Sequence, residues 1–255
     1  MPLSPIRLIC PICLIAILVL AASLTGHAQS FSETISQAQR TLLEIQTLID
    51  TIQERQTTGK PSTDWKDLFD GKSLGNWKKT DFGGGGEVKV VKSFRNGPPA
   101  IVVQMGATLS GFNWAGKDIP KTNYEISLEF MRIEGGDFAC GLTFPVADSH
   151  ASLILGGWGG GVVGISSIDN SDASENVTTK YMAFPKDKWY KVRMRVTPDK
   201  LQAWLDDKPI VDVVITGHKI SLRHGDISRS IPLGISTYQT SAAYRNIKLR
   251  RLPTG

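Results

Sequence analysis

Apolar residues recur at spacings of three and four between positions 32 and 56, where Ile35, Ala38, Leu42, Ile45, Ile49 and Ile52 form a heptad seam. That period keeps one face of an α-helix against a partner. Thr57-Thr58-Gly59-Lys60-Pro61 then ends the helix. An isolated helix of this length is marginal in water, so the seam is buried either on the domain that follows or against copies of itself. Beyond Pro61 the period drops to two. Short alternating runs, separated by Gly, Asp, Asn and Pro, predict strands over 88–91, 100–104, 124–133, 138–144, 151–155, 162–166, 189–197, 201–205, 210–214, 233–238 and 244–249. Asp206-Asp207-Lys208-Pro209 reads as a hairpin turn. So many short strands with no helices between them fit an all-β fold of two stacked antiparallel sheets.

The first 28 residues read differently. Arg7 precedes an apolar run from Leu8 to Leu24, and Gly26-His27-Ala28 supplies small residues for a cut, which is the pattern of a secretory signal peptide. A retained membrane anchor needs about 20 apolar residues, and this run is shorter and broken by Pro11. The expected organisation is a signal peptide at 1–28, a helical segment and linker at 29–61, and a β-sandwich domain at 62–255, in a secreted or periplasmic protein. Removing the leader takes Cys10 and Cys13 and leaves Cys140 alone, so the domain has no disulfide to form. The 255 residues carry 29 Lys and Arg against 24 Asp and Glu, a net charge of +5. The basic residues are spread along the chain, which argues against a dedicated nucleic-acid tail and leaves no membrane contact once the leader is gone.

Leu68-Phe69-Asp70-Gly71-Lys72-Ser73-Leu74-Gly75-Asn76-Trp77 resembles the opening motif of the bacterial 3-keto-disaccharide hydrolase family. Tyr124-Glu125-Ile126-Ser127-Leu128-Glu129-Phe130, Trp189-Tyr190-Lys191-Val192, Trp204-Leu205-Asp206-Asp207 and Tyr244-Arg245-Asn246-Ile247-Lys248-Leu249 follow in the family's order. The resemblance spans roughly 65–252. It implies a concanavalin-like jelly-roll sandwich whose concave sheet binds carbohydrate, and hydrolysis or elimination of glycosides oxidised at the sugar's third carbon. The centre departs from the family. Ala139-Cys140-Gly141 and Pro145 stand where relatives carry Asn-Ser-Gly and Arg, and His150-Ala151-Ser152-Leu153-Ile154-Leu155-Gly156 replaces a strand rich in polar groups.

Candidate chemistry is therefore sought in the residues that remain. A ketone acidifies the neighbouring C–H, so one general base can start elimination of a leaving group. Asp137, His150 and Asp169 are the candidate bases. Trp158, set in Gly156-Gly157-Trp158-Gly159-Gly160-Gly161, either stacks on a sugar or packs over the sandwich edge. His150 and Ser152 share its parity if the strand runs on unbroken. Asp172, Glu175 and Asn176, in the polar stretch 169–176, are candidate ligand contacts. The same stretch offers hard oxygen donors for Ca²⁺ without EF-hand spacing, and no cofactor is otherwise expected. His218, His224 and Asp226 match no zinc spacing. Along 138–144 the pattern puts Phe138, Cys140, Leu142 and Phe144 on one face, with Cys140 a small core residue. Ala139, Gly141 and Thr143 occupy the other, where small side chains admit a ligand or a closely packed sheet. The alternative to an enzyme is a non-catalytic carbohydrate-binding module of the same fold.

Overall fold

The computed structural model describes residues 36–46 and 64–253. The leader expected at 1–28 lies outside them. The chain divides into two compact units, Met1–Lys60 and Pro61–Gly255. In the first, 36–46 is helical, with Ala38 and Leu42 of the seam half-buried and Ile45 exposed. Ile35, Ile49 and Ile52 lie outside the described residues. No helix among the described residues is long and apolar enough to cross a membrane.

The second unit is built from strands. In chain order they are β1 (Lys66–Asp67), β2 (Trp77–Lys79), β3 (Val88–Val91), β4 (Ala100–Val103), β5 (Leu109–Trp114), β6 (Tyr124–Gly135), β7 (Cys140–Val146) and β8 (Ser149–Gly157). There follow β9 (Val162–Ser166), β10 (Lys180–Tyr181), β11 (Trp189–Val196), β12 (Lys200–Leu205), β13 (Lys208–Val214), β14 (Gly234–Tyr238) and β15 (Thr240–Arg251). One sheet runs β13-β12-β11-β6-β15-β4-β3 with β1 also on β15, and the other runs β10-β9-β8-β7-β14-β5-β2. Neighbouring strands pair antiparallel in both sheets. The result is the expected jelly-roll sandwich. Strands β1, β2, β5 and β10 were not predicted by the alternation, being too short or interrupted by residues such as Gly111 and Asn113.

Alternation decides which side chains fill the space between the sheets. Tyr124, Ile126, Leu128 and Phe130 point inward from β6, and Leu142, Phe144, Leu153, Leu155 and Ile165 meet them from the other sheet, all essentially without solvent contact. Each such side chain contributes on the order of 1.5–3 kcal/mol. Two inward phenols do more than pack. Tyr124 Oη donates to the carbonyl of Pro145 and Tyr244 Oη to that of Ala139, each at 2.5 Å. Burial raises both phenols well above the usual tyrosine range, so they remain donors. Cys140 lies in this core, and burial pushes its thiol far up as well. Phe138 does not join it: β7 begins at Cys140, and Phe138 packs with Ile154, Val162 and Ala173 on the opposite face. The face predicted for 138–144 therefore holds only from Cys140 onward, because the chain bends at 136–139 before entering the sheet.

The outer face of the first sheet is charged. Glu125, Ser127 and Glu129 on β6 lie between Arg195, Arg193 and Lys191 on β11 and Arg250, Lys248 and Arg245 on β15. A register shift between Arg245 and Lys248 adds one residue to β15, with Asn246 at φ 53°. That bulge lets all three basic side chains of β15 face outward. Glu125 is fully buried and accepts from Arg193 Nη1 at 2.8 Å, Arg195 Nε at 2.7 Å and Arg250 Nε at 2.7 Å. Burial alone would raise its pKa, but Arg195 and Arg250 outweigh it and hold the carboxyl below the ordinary glutamate value. A depressed folded-state pKa contributes stability above the unfolded value, about 4.3, and loses it as pH falls through the folded one. We predict that Glu125→Gln lowers unfolding free energy at pH 7 by about 3 kcal/mol. Denaturant titrations should show the gap from wild type closing below about pH 4; a gap independent of pH would contradict it.

Candidate functional site

The outer face of the second sheet is made of small residues, and two loops use the room they leave. A Cβ on Gly164 would lie 2.7 Å from the Ala173 carbonyl oxygen, and one on Gly234 would lie 2.5 Å from that of Ser230. The loop 167–178 and the 3-10 turn Asp226–Ser230 thus rest directly on the sheet. Neither an open ligand platform nor the opposite sheet occupies most of this face. Ser152 is buried beneath it, its hydroxyl 2.8 Å from that of Thr143. Asn176 is spent on the loop itself: its Nδ2 donates to the carbonyls of Ile165, Ser171 and Asp172, and its Oδ1 accepts from Thr178 N. Glu175 is exposed on the same loop.

What stays open is a cleft of about 430 Å³ lined by Asp137, Phe138, Ile154, Trp158, Arg223, His224, Asp226 and Tyr238, among others. Its position follows from a bulge. The β8–β9 register shifts between Leu155 and Gly157, which breaks the parity carried from His150 and Ser152 and hands Trp158 to a turn. Gly156 has φ 85° and Gly160 φ 105°. A Cβ on Gly156 would stand 2.8 Å from Arg132 Nη2, and one on Gly160 2.7 Å from the Gly136 carbonyl. Only glycine fits both positions.

Trp158 itself has φ 48°, a left-handed conformation unusual for a bulky side chain. Three contacts hold it there. Arg132, nine-tenths buried, donates from Nη2 to the Asp137 carbonyl at 2.9 Å; Thr240 Oγ1 donates to the same carbonyl at 3.0 Å; and Asp137 Oδ2 accepts from Gly159 N at 2.8 Å. Asp137 Oδ1 accepts from Phe138 N at 2.7 Å. The indole is 43% exposed, and the Arg223 guanidinium lies 5.5 Å from its ring centre. Arg223 is steadied by Asp172, whose Oδ2 is 2.9 Å from Nη1 while its Oδ1 accepts from the Ser166 hydroxyl and Ala173 N. On the far wall Phe138 and Tyr238 pack with ring centres 6.1 Å apart.

The structure therefore brings Asp137 and Trp158 into one cleft and sets Asp172 behind it. His150 and Asp169 lie outside. His150 sits opposite Pro145 at the start of β8, where burial and Lys121 lower its pKa. Asp169 Oδ2 is 2.7 Å from His218 Nδ1, and that bond, with the Lys219 N–H, lowers its pKa. The carboxylates of 169–176 consequently point at different partners, and among the described residues no three His, Cys, Asp or Glu side chains gather as for a metal. Arg223, His224, Asp226 and Tyr238 were not singled out as ligand contacts by the sequence; His224 and Asp226 were weighed only as metal ligands. They lie 65–80 residues from Trp158 in the chain; the folding of 220–230 onto the sheet brings Arg223, His224 and Asp226 to it, and Tyr238 arrives at the end of β14.

Residues 64–250 match the 3-keto-alpha-glucoside-1,2-lyase-like domain family. The chain belongs to this family. A search of curated proteins found no match. Among solved structures, a Crh5 transglycosylase in complex with NAG superposes on the lyase-like domain with TM-score 0.50 at 11% identity, covering 76% of this chain and 85% of that one. A carbohydrate-binding module from Bacillus subtilis gives TM-score 0.45 at 14% identity over 69% of this chain and 95% of that one. The catalytic domain of a glycoside hydrolase family 131 protein from Coprinopsis cinerea gives 0.40 at 12% over 70% and 84%. The transglycosylase likeness carries the sandwich fold of the lyase-like domain and nothing finer. Family and fold together make the protein carbohydrate-related.

Because Asp137 is the strap of the Trp158 turn, Asp137→Asn leaves one acceptor for two N–H groups. The lyase-like domain should lose about 1–2 kcal/mol in thermal unfolding, and acrylamide should quench Trp158 more readily. Unchanged melting and quenching would show that the turn holds without the carboxylate.

Proposed function

We propose that this is an exported carbohydrate-active enzyme that binds a 3-keto-glycoside in the Trp158 cleft and eliminates the substituent at its first carbon. The observation that carries the reading is the convergence of an exposed indole, a cation paired with Asp172 and the His224 imidazole in one open cleft. The apolar face of the sugar lies on Trp158. Arg223 faces the ketone oxygen, where negative charge develops. His224, at the same wall, takes the proton from C2. The C2–H electrons form the C1–C2 double bond, and the C1–O electrons leave with the aglycone oxygen, which takes up a proton. Addition of water across that double bond makes the net reaction a hydrolysis. Asp137 and Asp172 act as positioning residues, the first for Trp158 and the second for Arg223.

A second reading, a binding module without catalysis, is favoured by one observation. Both oxygens of Asp137, the one predicted base that reaches the cleft, are already engaged by backbone N–H groups. Incubation with a 3-keto-α-glucoside, followed by NMR for the released aglycone, separates the two. The enzyme reading expects release above buffer, a loss of about a hundredfold or more in His224→Ala, and weaker binding by about 1 kcal/mol in Trp158→Ala. Binding without release, with His224→Ala indistinguishable from wild type, would establish the module instead.

Export is tested separately by the intact mass of the protein isolated from its native host. The expected chain begins after Ala28. A chain that retains Cys10 would overturn the proposal.

A further inference from the structure

The face opposite the Trp158 cleft gathers what the sequence scatters. Across the first sheet, three rows run perpendicular to the strands: Lys191–Glu129–Arg245, Arg193–Ser127–Lys248 and Arg195–Glu125–Arg250. In the outer two rows a central carboxylate stands between two cations. Glu129 accepts from Arg245 Nε at 2.7 Å and from Asn246 Nδ2 at 2.8 Å, and Glu125 is enclosed by three guanidinium groups. The middle row has a hydroxyl at that place. Arg193, Lys248 and Arg250 thus surround a position built like its neighbours but without their negative charge.

A groove of about 460 Å³ lies over this position, lined by Trp65, Ser127, Glu129, Lys191, Arg193, Asn246, Lys248 and Arg250. The cations are held in place from below. Arg193 stacks on Trp204 at 3.7 Å and Arg250 on Trp65 at 4.7 Å, so little rotational freedom is lost when a ligand binds. One buried carboxylate does not balance three guanidiniums. The remaining counterions, Asp67 on Lys248 and Asp207 on Lys191, are exposed pairs at 3.3 Å, which are weak and exchange readily for another anion.

We propose that this groove is a second saccharide site, distinct from the Trp158 cleft, and that it takes a carboxylate-bearing sugar. The carboxylate occupies the place left by the missing third acid, above Ser127 and between Arg193 and Lys248, while the ring lies along the groove beside Trp65 and the Arg250 stacked on it. The rows extend about 14 Å along the strands and about 10 Å across them. That suits one or two sugar residues carrying a single planar anion, and it is too short a track for a polyphosphate backbone.

The test uses the full-length protein and galacturonate, with its methyl ester as the uncharged counterpart. Calorimetric titration at low and physiological ionic strength should show the acid binding at least about tenfold more tightly than the ester, with salt weakening the acid alone. Ser127→Glu supplies the missing carboxylate from within, so it should melt no lower than wild type and lose the acid about tenfold or more. Lys248→Gln, an exposed change, should lose it severalfold if Ser127→Glu does not fold. Trp158→Ala should leave this binding unchanged, which separates it from the cleft. Equal binding of acid and ester, undiminished binding by folded Ser127→Glu together with Lys248→Gln, or a single-stranded oligonucleotide that competes better than galacturonate would each overturn the proposal.

Discussion

Two phenol–carbonyl hydrogen bonds across the core set the position of everything on the second sheet. Tyr124 and Tyr244 stand on β6 and β15, the longest pair of strands in the molecule, and they reach the carbonyls of Pro145 and Ala139 at the two ends of β7. A hydroxyl sealed in an apolar core must be bonded or cost several kcal/mol. The separation and register of the two sheets are therefore fixed at both ends of the central strand. The bend that delivers Asp137 and Phe138 to the cleft ends on such an anchor, Ala139. It is also tied by Arg132 on β6 and by Thr240, the first residue of β15, so the cleft inherits the rigidity of the β6–β15 ladder.

The two outer faces answer different physical problems. On the second sheet, glycine, serine and threonine lower the surface so far that loops settle onto it, and a broad platform contracts to a cleft at one end. On the first sheet no loop intervenes. Long basic side chains lie over the half-buried indoles of Trp65, Trp189 and Trp204, shielding aromatic surface from water and other chains while keeping the face charged. Gly141, Ser152 and Gly156 keep the second sheet low, and the polar and aromatic groups open to a ligand stand at the rim, on Arg223, His224 and Tyr238.

Alternation alone made the sandwich legible, because residues such as Ile126, Leu128 and Phe130 leave no doubt about the buried side. It failed where the period is interrupted. Phe138 keeps the sequence parity of Cys140 but precedes the strand, and the bulges at Gly156 and Asn246 each add a residue that the pattern cannot reveal. Trp158 was readable because a lone indole among glycines is unusual, and Asp137 as one of three acidic or basic side chains left to serve as a base. Ser152 and Asn176 looked equally polar in the sequence; their hydroxyl and amide are consumed by internal bonds that only the folded loops create. Arg223 carries no local signal at all. Its meaning comes from Asp172, fifty-one positions earlier.

Cys140 gives the domain a further property. Thiol reagents attack the thiolate, and this sulfur is kept protonated and out of reach by the same core that Tyr244 crosses. Among the described residues Cys140 is the one cysteine, and a bulky alkylating reagent meets it only when the sheets part. The extent of labelling over time then counts opening events of the native sandwich, so its kinetic persistence can be timed without denaturant.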